Sequence, residues 1–194
     1  MSKSIQNAAK KQNSIIQAAL ELFLQQGYGG TSMDAVAIQA GVTKQTVYRY
    51  YPSKETLFVA VMEKIRTEEA PPYDFGSGNL TQELRNFGKQ LLAFHLTPSA
   101  LGVYKMMLTE GGQENLLKPF MDAGPTRVMQ PLMAFLQQRC EALDDVAFHA
   151  QMFATMILSP RNQRMMSSKE PINKAAQEKH VHKVVQLFLK GLDR

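Results

Sequence analysis

Apolar residues return every three or four positions along most of this 194-residue chain, while runs that alternate with a period of two are scarce. No Asn-Gly or Asp-Gly pair lies between apolar stretches to turn a hairpin. The pattern predicts an all-α fold. A first helix is expected from about Ile5 or Asn13 to Gln26, burying Ile16, Ala19, Leu20 and Phe23 with Ile15, Ala18 and Leu22 beside them. Gly27 supplies its left-handed stop. A short helix should begin at Thr31 or Ser32, with Asp34 placed after Thr31 as in a capping box, and end at Gly41. Thr43 caps another. Pro52-Ser53 opens a fourth helix that reaches about Arg66 or Glu68 and buries Leu57, Phe58, Val61, Met62 and Ile65.

Two prolines and two glycines within residues 70–79 mark a linker. Beyond it, helices are expected near residues 80–96, 99–109, 116–123, 125–143, 144–158 and 171–192, with a polar loop at 159–170 around Pro160. The length suits one large domain or two small ones.

Several functional classes drop out. The longest clean apolar run, Leu57 to Met62, is far short of the roughly 18 residues a membrane span needs. The opening residues are too polar for a secretory signal. The single cysteine, Cys140, has no partner for an internal disulfide, and no CxxC or HExxH pattern offers a metal site. His180 and His182 stand two apart on a helix, a poor spacing for a shared ligand, and His95 and His149 are isolated. No nucleophile elbow or phosphate loop is present. The expectation is a cytoplasmic protein with no catalytic residues, no metal and no other cofactor.

Charge points to one part of the chain. Through residue 58 there are six Lys or Arg against three acidic residues, so just under a third of the sequence carries +3 of the total +5. Within it, residues 33–50 read MDAVAIQAGVTKQTVYRY. Val36, Ala40, Val42, Val47 and Tyr50 form an apolar register, Ala37 lets two helices approach, and Gly41 takes the turn. Two helices crossing at roughly 90–120° need this arrangement. It leaves Thr43, Lys44, Gln45, Thr46, Tyr48 and Arg49 on a free face without an acidic residue. Such a face suits the DNA major groove: Lys44 can donate to guanine, Gln45 can pair with adenine, and Thr46 can meet a thymine methyl or a phosphate. Helix starts at Thr31-Ser32 and Thr43 can offer backbone donors to phosphates, and Lys54 can add another contact.

Residues 14–58, SIIQAALELFLQQGYGGTSMDAVAIQAGVTKQTVYRYYPSKETLF, resemble the DNA-binding domain of the TetR/AcrR family of bacterial transcriptional regulators. The matching elements are AALELF, Gly27-Tyr28, Thr31-Ser32, AGV, Thr46-Val47-Tyr48, Tyr50-Tyr51 and Ser53 to Leu57, with Tyr51 where the family usually has Phe. The resemblance implies a helix-turn-helix domain over residues 1–58 and a larger helical domain for effector binding and dimerisation over 59–194. It further implies that Tyr48, Tyr50 and Lys54 touch phosphates while Lys44, Gln45 and Thr46 read bases; Arg49 faces either the backbone or water.

In the second half, residues 101–124 and the ending VHKVVQLFLKGL are similar to the AcrR/AefR-like branch, although Asn115 stands about where that branch usually has proline. Twelve methionines and no tryptophan give an adaptable core. Phe94, His95, Tyr104, Met107, Met121 and Phe153 are candidate linings of a pocket for a small apolar or amphipathic effector, against the alternative of an ordinary methionine-filled core. A homodimer would match a palindromic operator. Helices at 126–143 and 144–158 are expected to pair with their mates through Leu132, Phe135, Leu136, Phe148, Met152 and Ile157. The leading expectation is a ligand-released repressor. A corepressor-dependent regulator and an architectural DNA-binding protein without effector remain alternatives.

Overall fold

A computed structural model describes residues 3–69, 73–110, 128–140, 143–166 and 172–192. Every regular element among them is a helix: α1 (Lys3–Gly30), α2 (Met33–Ala40), α3 (Lys44–Tyr50), α4 (Lys54–Glu69), α5 (Leu80–His95), α6 (Pro98–Glu110), α7 (128–139), α8 (Val146–Ile157), α9 (Ser159–Met166) and α10 (Lys174–Leu192). The described residues fall into two compact units, those within Met1–Glu69 and Gly102–Phe120 and those within Ala70–Leu101 and Met121–Arg194. A division at residue 58 would cut α4, all of which lies in the first unit.

In the first unit α1 buries Ile15, Ala19 and Phe23 on one stripe. Its helical path breaks at Gly27, whose φ of 78° and ψ of 173° lie in a region open essentially to glycine alone. The break swings Tyr28 back into the core. Its ring sits 5.5 Å from Phe23 and 5.5 Å from Phe58, and Phe23 and Phe58 are 5.6 Å apart, so three aromatics lock α1 to α4. Leu57, Val61 and Ile65 extend that face of α4.

The second unit is built on α5, α7, α8 and α10, with Leu84, Leu91, Leu92, Leu132, Leu136, Phe153, Ile157 and Val185 at its centre. A Cβ on Gly88 would lie 2.9 Å from Ile157 Cδ1 and 3.0 Å from Val181 Cγ1, so glycine there lets α8 and α10 close on α5. His180 Nε2 lies 3.0 Å from the Met156 carbonyl oxygen and ties α10 to the end of α8.

Two expectations change. Part of the proline- and glycine-rich stretch read as a linker is packed structure. Phe75 stacks on Phe135 at 4.2 Å and on Phe87 at 5.1 Å, and Tyr73 meets Phe87 at 5.2 Å. The buried Glu83 carboxylate accepts from the Gly76 and Gly78 amides at 3.0 and 3.1 Å. Residues 159–166, expected to be loop, form α9, since proline second in a helix forfeits no intrahelical bond. The helix expected at 116–123 lies outside the described residues.

Candidate nucleic-acid interface

Local chemistry fixes the path from α2 to α3. Ser32, in extended backbone, caps α2 by accepting from the Ala35 amide at 3.1 Å. Thr31, the other expected cap, instead points inward: it is 2% exposed and its hydroxyl donates to the Gly27 carbonyl at 2.7 Å. Gly41 then adopts φ 66°, ψ 34°, with its amide on Ile38 O at 3.1 Å and the Val42 amide on Ala37 O at 3.0 Å. That pair of bonds is the Schellman ending, which needs the left-handed glycine. Thr43 caps α3 through the Thr46 amide at 3.2 Å, and its hydroxyl lies 2.9 Å from that of Thr46. Val36 and Val47, both fully buried, pin the two helices to the core. Gln39 adds a bond from α2 to Glu21 of α1 at 2.8 Å.

With Val47 turned inward, α3 presents Lys44, Gln45, Tyr48 and Arg49 to solvent, while Thr46 and Tyr50 are half-buried beside them. The Gln45 amide is engaged by no described residue. The Arg49 guanidinium lies 5.3 Å from the Tyr50 ring centroid, and Lys44 Nζ lies 5.9 Å from that of Tyr48. A helix with no acidic residue of its own, held on its buried edge and open on the other, presents donors where base edges and phosphates would be met.

Two features of this surface go beyond the sequence pattern. Asp34, expected to complete a capping box with Thr31, makes an ion pair with Lys44, 2.7 Å from Oδ1 to Nζ. An acid ten residues before a lysine, across a tight turn, was the available signal. The second is Lys54. Its ammonium donates to the carbonyls of Tyr28 at 2.8 Å and Thr31 at 2.9 Å and sits 4.3 Å from the Tyr28 ring centroid.

The remaining candidates fall in both units. Phe94, His95 and Phe153 belong to the second unit, Tyr104 and Met107 to the first, and Met121 lies outside the described residues. His95 is buried, and that burial, with the Arg161 guanidinium adding its charge, lowers its pKa to about 3. Phe153 packs against Phe188 at 4.9 Å in the core. Of the residues expected at a dimer contact, Leu132, Phe135, Leu136 and Ile157 are 4% exposed or less, because α7 and α8 turn these side chains into their own bundle. Phe148 and Met152 are exposed, as is Leu187 on α10.

The two short helices, the left-handed turn and the open cationic face define a helix-turn-helix DNA-binding protein. Residues 15–61 match the model of the bacterial regulatory proteins of the tetR family, and residues 82–191 match the C-terminal domain of AefR-like transcriptional repressors. The chain therefore belongs to the TetR family of transcriptional regulators. It is 44% identical over 55 residues to the regulator RutR of Escherichia coli, a match that spans 28% of this chain and 26% of that relative's length. It is 36% identical over 80 residues to an uncharacterized HTH-type regulator of Mycobacterium bovis, covering 41% and 38% of the two chains. Among solved structures, a TetR-family regulator from Mesorhizobium loti aligns over 98% of both chains with a TM-score of 0.79 and 25% identity. The flavonoid-responsive regulator FrrA aligns over 94% of this chain and 97% of its own, with a TM-score of 0.77 and 29% identity. Among the described residues, no helix is long and apolar enough to cross a membrane.

Proposed function

We propose that the protein is a homodimeric repressor whose paired α3 helices read a palindromic operator and which a small apolar or amphipathic effector releases from DNA. The observation that carries the reading is the exposed face of Lys44, Gln45, Tyr48 and Arg49, to which α3 itself contributes no acidic residue. In this reading residues 1–58 make the DNA contact, with Ser32, Thr43, Thr46 and Tyr50 contributing beside that face, and residues 59–194 bind effector and pair. Thr31 acts from inside, by holding the turn that carries the Ser32 cap.

Pairing follows from affinity. One head with about half a dozen contacts binds weakly at cellular salt, so two heads on one duplex are needed. The exposed side chains of Phe148 and Met152 on α8 and Leu187 on α10 supply an apolar surface for that contact. The flavonoid-responsive relative favours an aromatic, amphipathic effector. Release requires that effector bind the DNA-incompetent state more tightly by a few kcal/mol. The site of action is the cytoplasm, with the chromosome.

The test is electrophoretic shift with duplex selected by the protein. Lys44→Ala and Tyr48→Ala should abolish the shift while helical content is kept, and a flavonoid should release the wild-type complex. Binding that survives both substitutions contradicts the reading head. A flavonoid that tightens the complex contradicts repression by release.

A further inference from the structure

Lys54 stands at the first turn of α4, where the resemblance assigns a phosphate contact, yet its ammonium is already committed. Two of its three N–H donors go to the Tyr28 and Thr31 carbonyls at 2.8 and 2.9 Å, and the charge rests against the Tyr28 ring at 4.3 Å. Both acceptors belong to the corner between α1 and α2. The same Tyr28 carbonyl accepts from the Thr31 amide at 3.2 Å, and the Thr31 hydroxyl closes the corner on Gly27. Ser32, the cap that starts α2, is the next residue. Around the lysine, Ser53 and Thr56 cap α4 reciprocally, with the Thr56 amide on Ser53 Oγ at 3.2 Å and the Ser53 amide on Thr56 Oγ1 at 3.1 Å. Ser53, and more weakly the Tyr28 hydroxyl, hold the Glu55 carboxyl below its usual pKa.

We infer that Lys54 is a positioning residue for DNA binding: it fastens the start of α4 to the α1–α2 corner, and through the Ser32 cap sets where α2 and the reading helix sit. While those carbonyl bonds hold, only the third N–H is left for the phosphate contact expected of it. Movement of the first turn of α4 is transmitted to α2 through this ammonium. The inference rests on the DNA-binding role of the family and is independent of the effector and of pairing.

Two measurements test it. In the free protein, Lys54→Met should raise hydrogen exchange at the Thr31 amide and the first turn of α2 and leave the centre of α1 protected. Unchanged exchange at the corner overturns the inference whether or not DNA is bound. On a duplex selected by the wild type, Lys54→Met should weaken binding about tenfold, as expected for losing hydrogen bonds from a charged donor, while the slope of log affinity against log salt stays that of the wild type. Lys54→Gln, uncharged but able to donate, should recover part of that loss at the same slope. A slope reduced by about 0.9 for each lysine lost identifies a phosphate contact and overturns the inference. Unchanged affinity in a folded Lys54→Met protein reduces the lysine to a stabilising role and overturns it equally.

Discussion

Lys44 and Asp34 meet across the helix-turn-helix, with Nζ 2.7 Å from Oδ1 and 3.0 Å from Oδ2 and both side chains more than half exposed. The hydrogen bond and charge of Asp34 raise the lysine pKa, so the ammonium is charged wherever DNA binding is measured. A base or phosphate that recruits Lys44 competes with the carboxylate for its donors, and the carboxylate itself repels the duplex. Asp34→Asn should therefore strengthen binding to random-sequence DNA by roughly threefold to tenfold at low salt and narrow the gap between selected and random duplexes. The thermal midpoint should barely move, because exposed ion pairs contribute little. Competition binding checks it; an unchanged ratio of the two affinities counts against a role for Asp34 in discrimination.

Thr43 and Ser32 separate folding from function. Each side chain satisfies a backbone amide at a helix start, so Thr43→Ala and Ser32→Ala should each cost about 1 kcal/mol in chemical denaturation. Thr43→Asp keeps a cap and should keep stability, yet it places a carboxylate at the start of the reading helix. DNA binding should be lost in that variant while unfolding is unchanged.

The path of α2 and α3 was legible because its determinants are local: a cap, a left-handed glycine and two buried valines lie within a few residues of one another. The choice between Thr31 and Ser32 as cap was not, since both residue types cap well and Gly27, four residues away, decides it by taking the Thr31 hydroxyl. Composition misled at residues 73–79. Proline and glycine speak of broken helix, but Tyr73 and Phe75 find partners at residues 87 and 135, far along the chain. Leu132, Leu136 and Ile157 share this difficulty: helical spacing shows that a residue faces something apolar and leaves open whether that is its own core or a second copy.

His95 gives the second unit a pH signature. Burial, reinforced by Arg161, lowers its pKa to about 3, below the roughly 6.5 of an unfolded chain, so protons favour the unfolded state. Its contribution is fully present above pH ~6.5 and is lost as pH falls toward 3. Between pH 7 and pH 5 the loss should be about 2 kcal/mol, and His95→Leu should flatten that part of the profile. Denaturant titrations at fixed pH check this; an equal decline in both proteins assigns the effect to other groups.

Phe148 is 54% exposed on α8, so Phe148→Glu should leave the fold intact. If α8 and α10 form the contact between copies, the variant should sediment as a monomer at concentrations where the wild type is a dimer, and its DNA affinity should fall steeply. A dimeric Phe148→Glu protein places the contact elsewhere.

Selection of bound sequences from a random duplex pool tests the central claim most directly. The expected result is an inverted repeat whose half-site centres lie roughly 34–36 Å apart or a multiple of that, with Gln45→Ala relaxing one symmetric pair of positions. An enriched site without two-fold symmetry, or no enrichment at low salt, contradicts a paired reading helix.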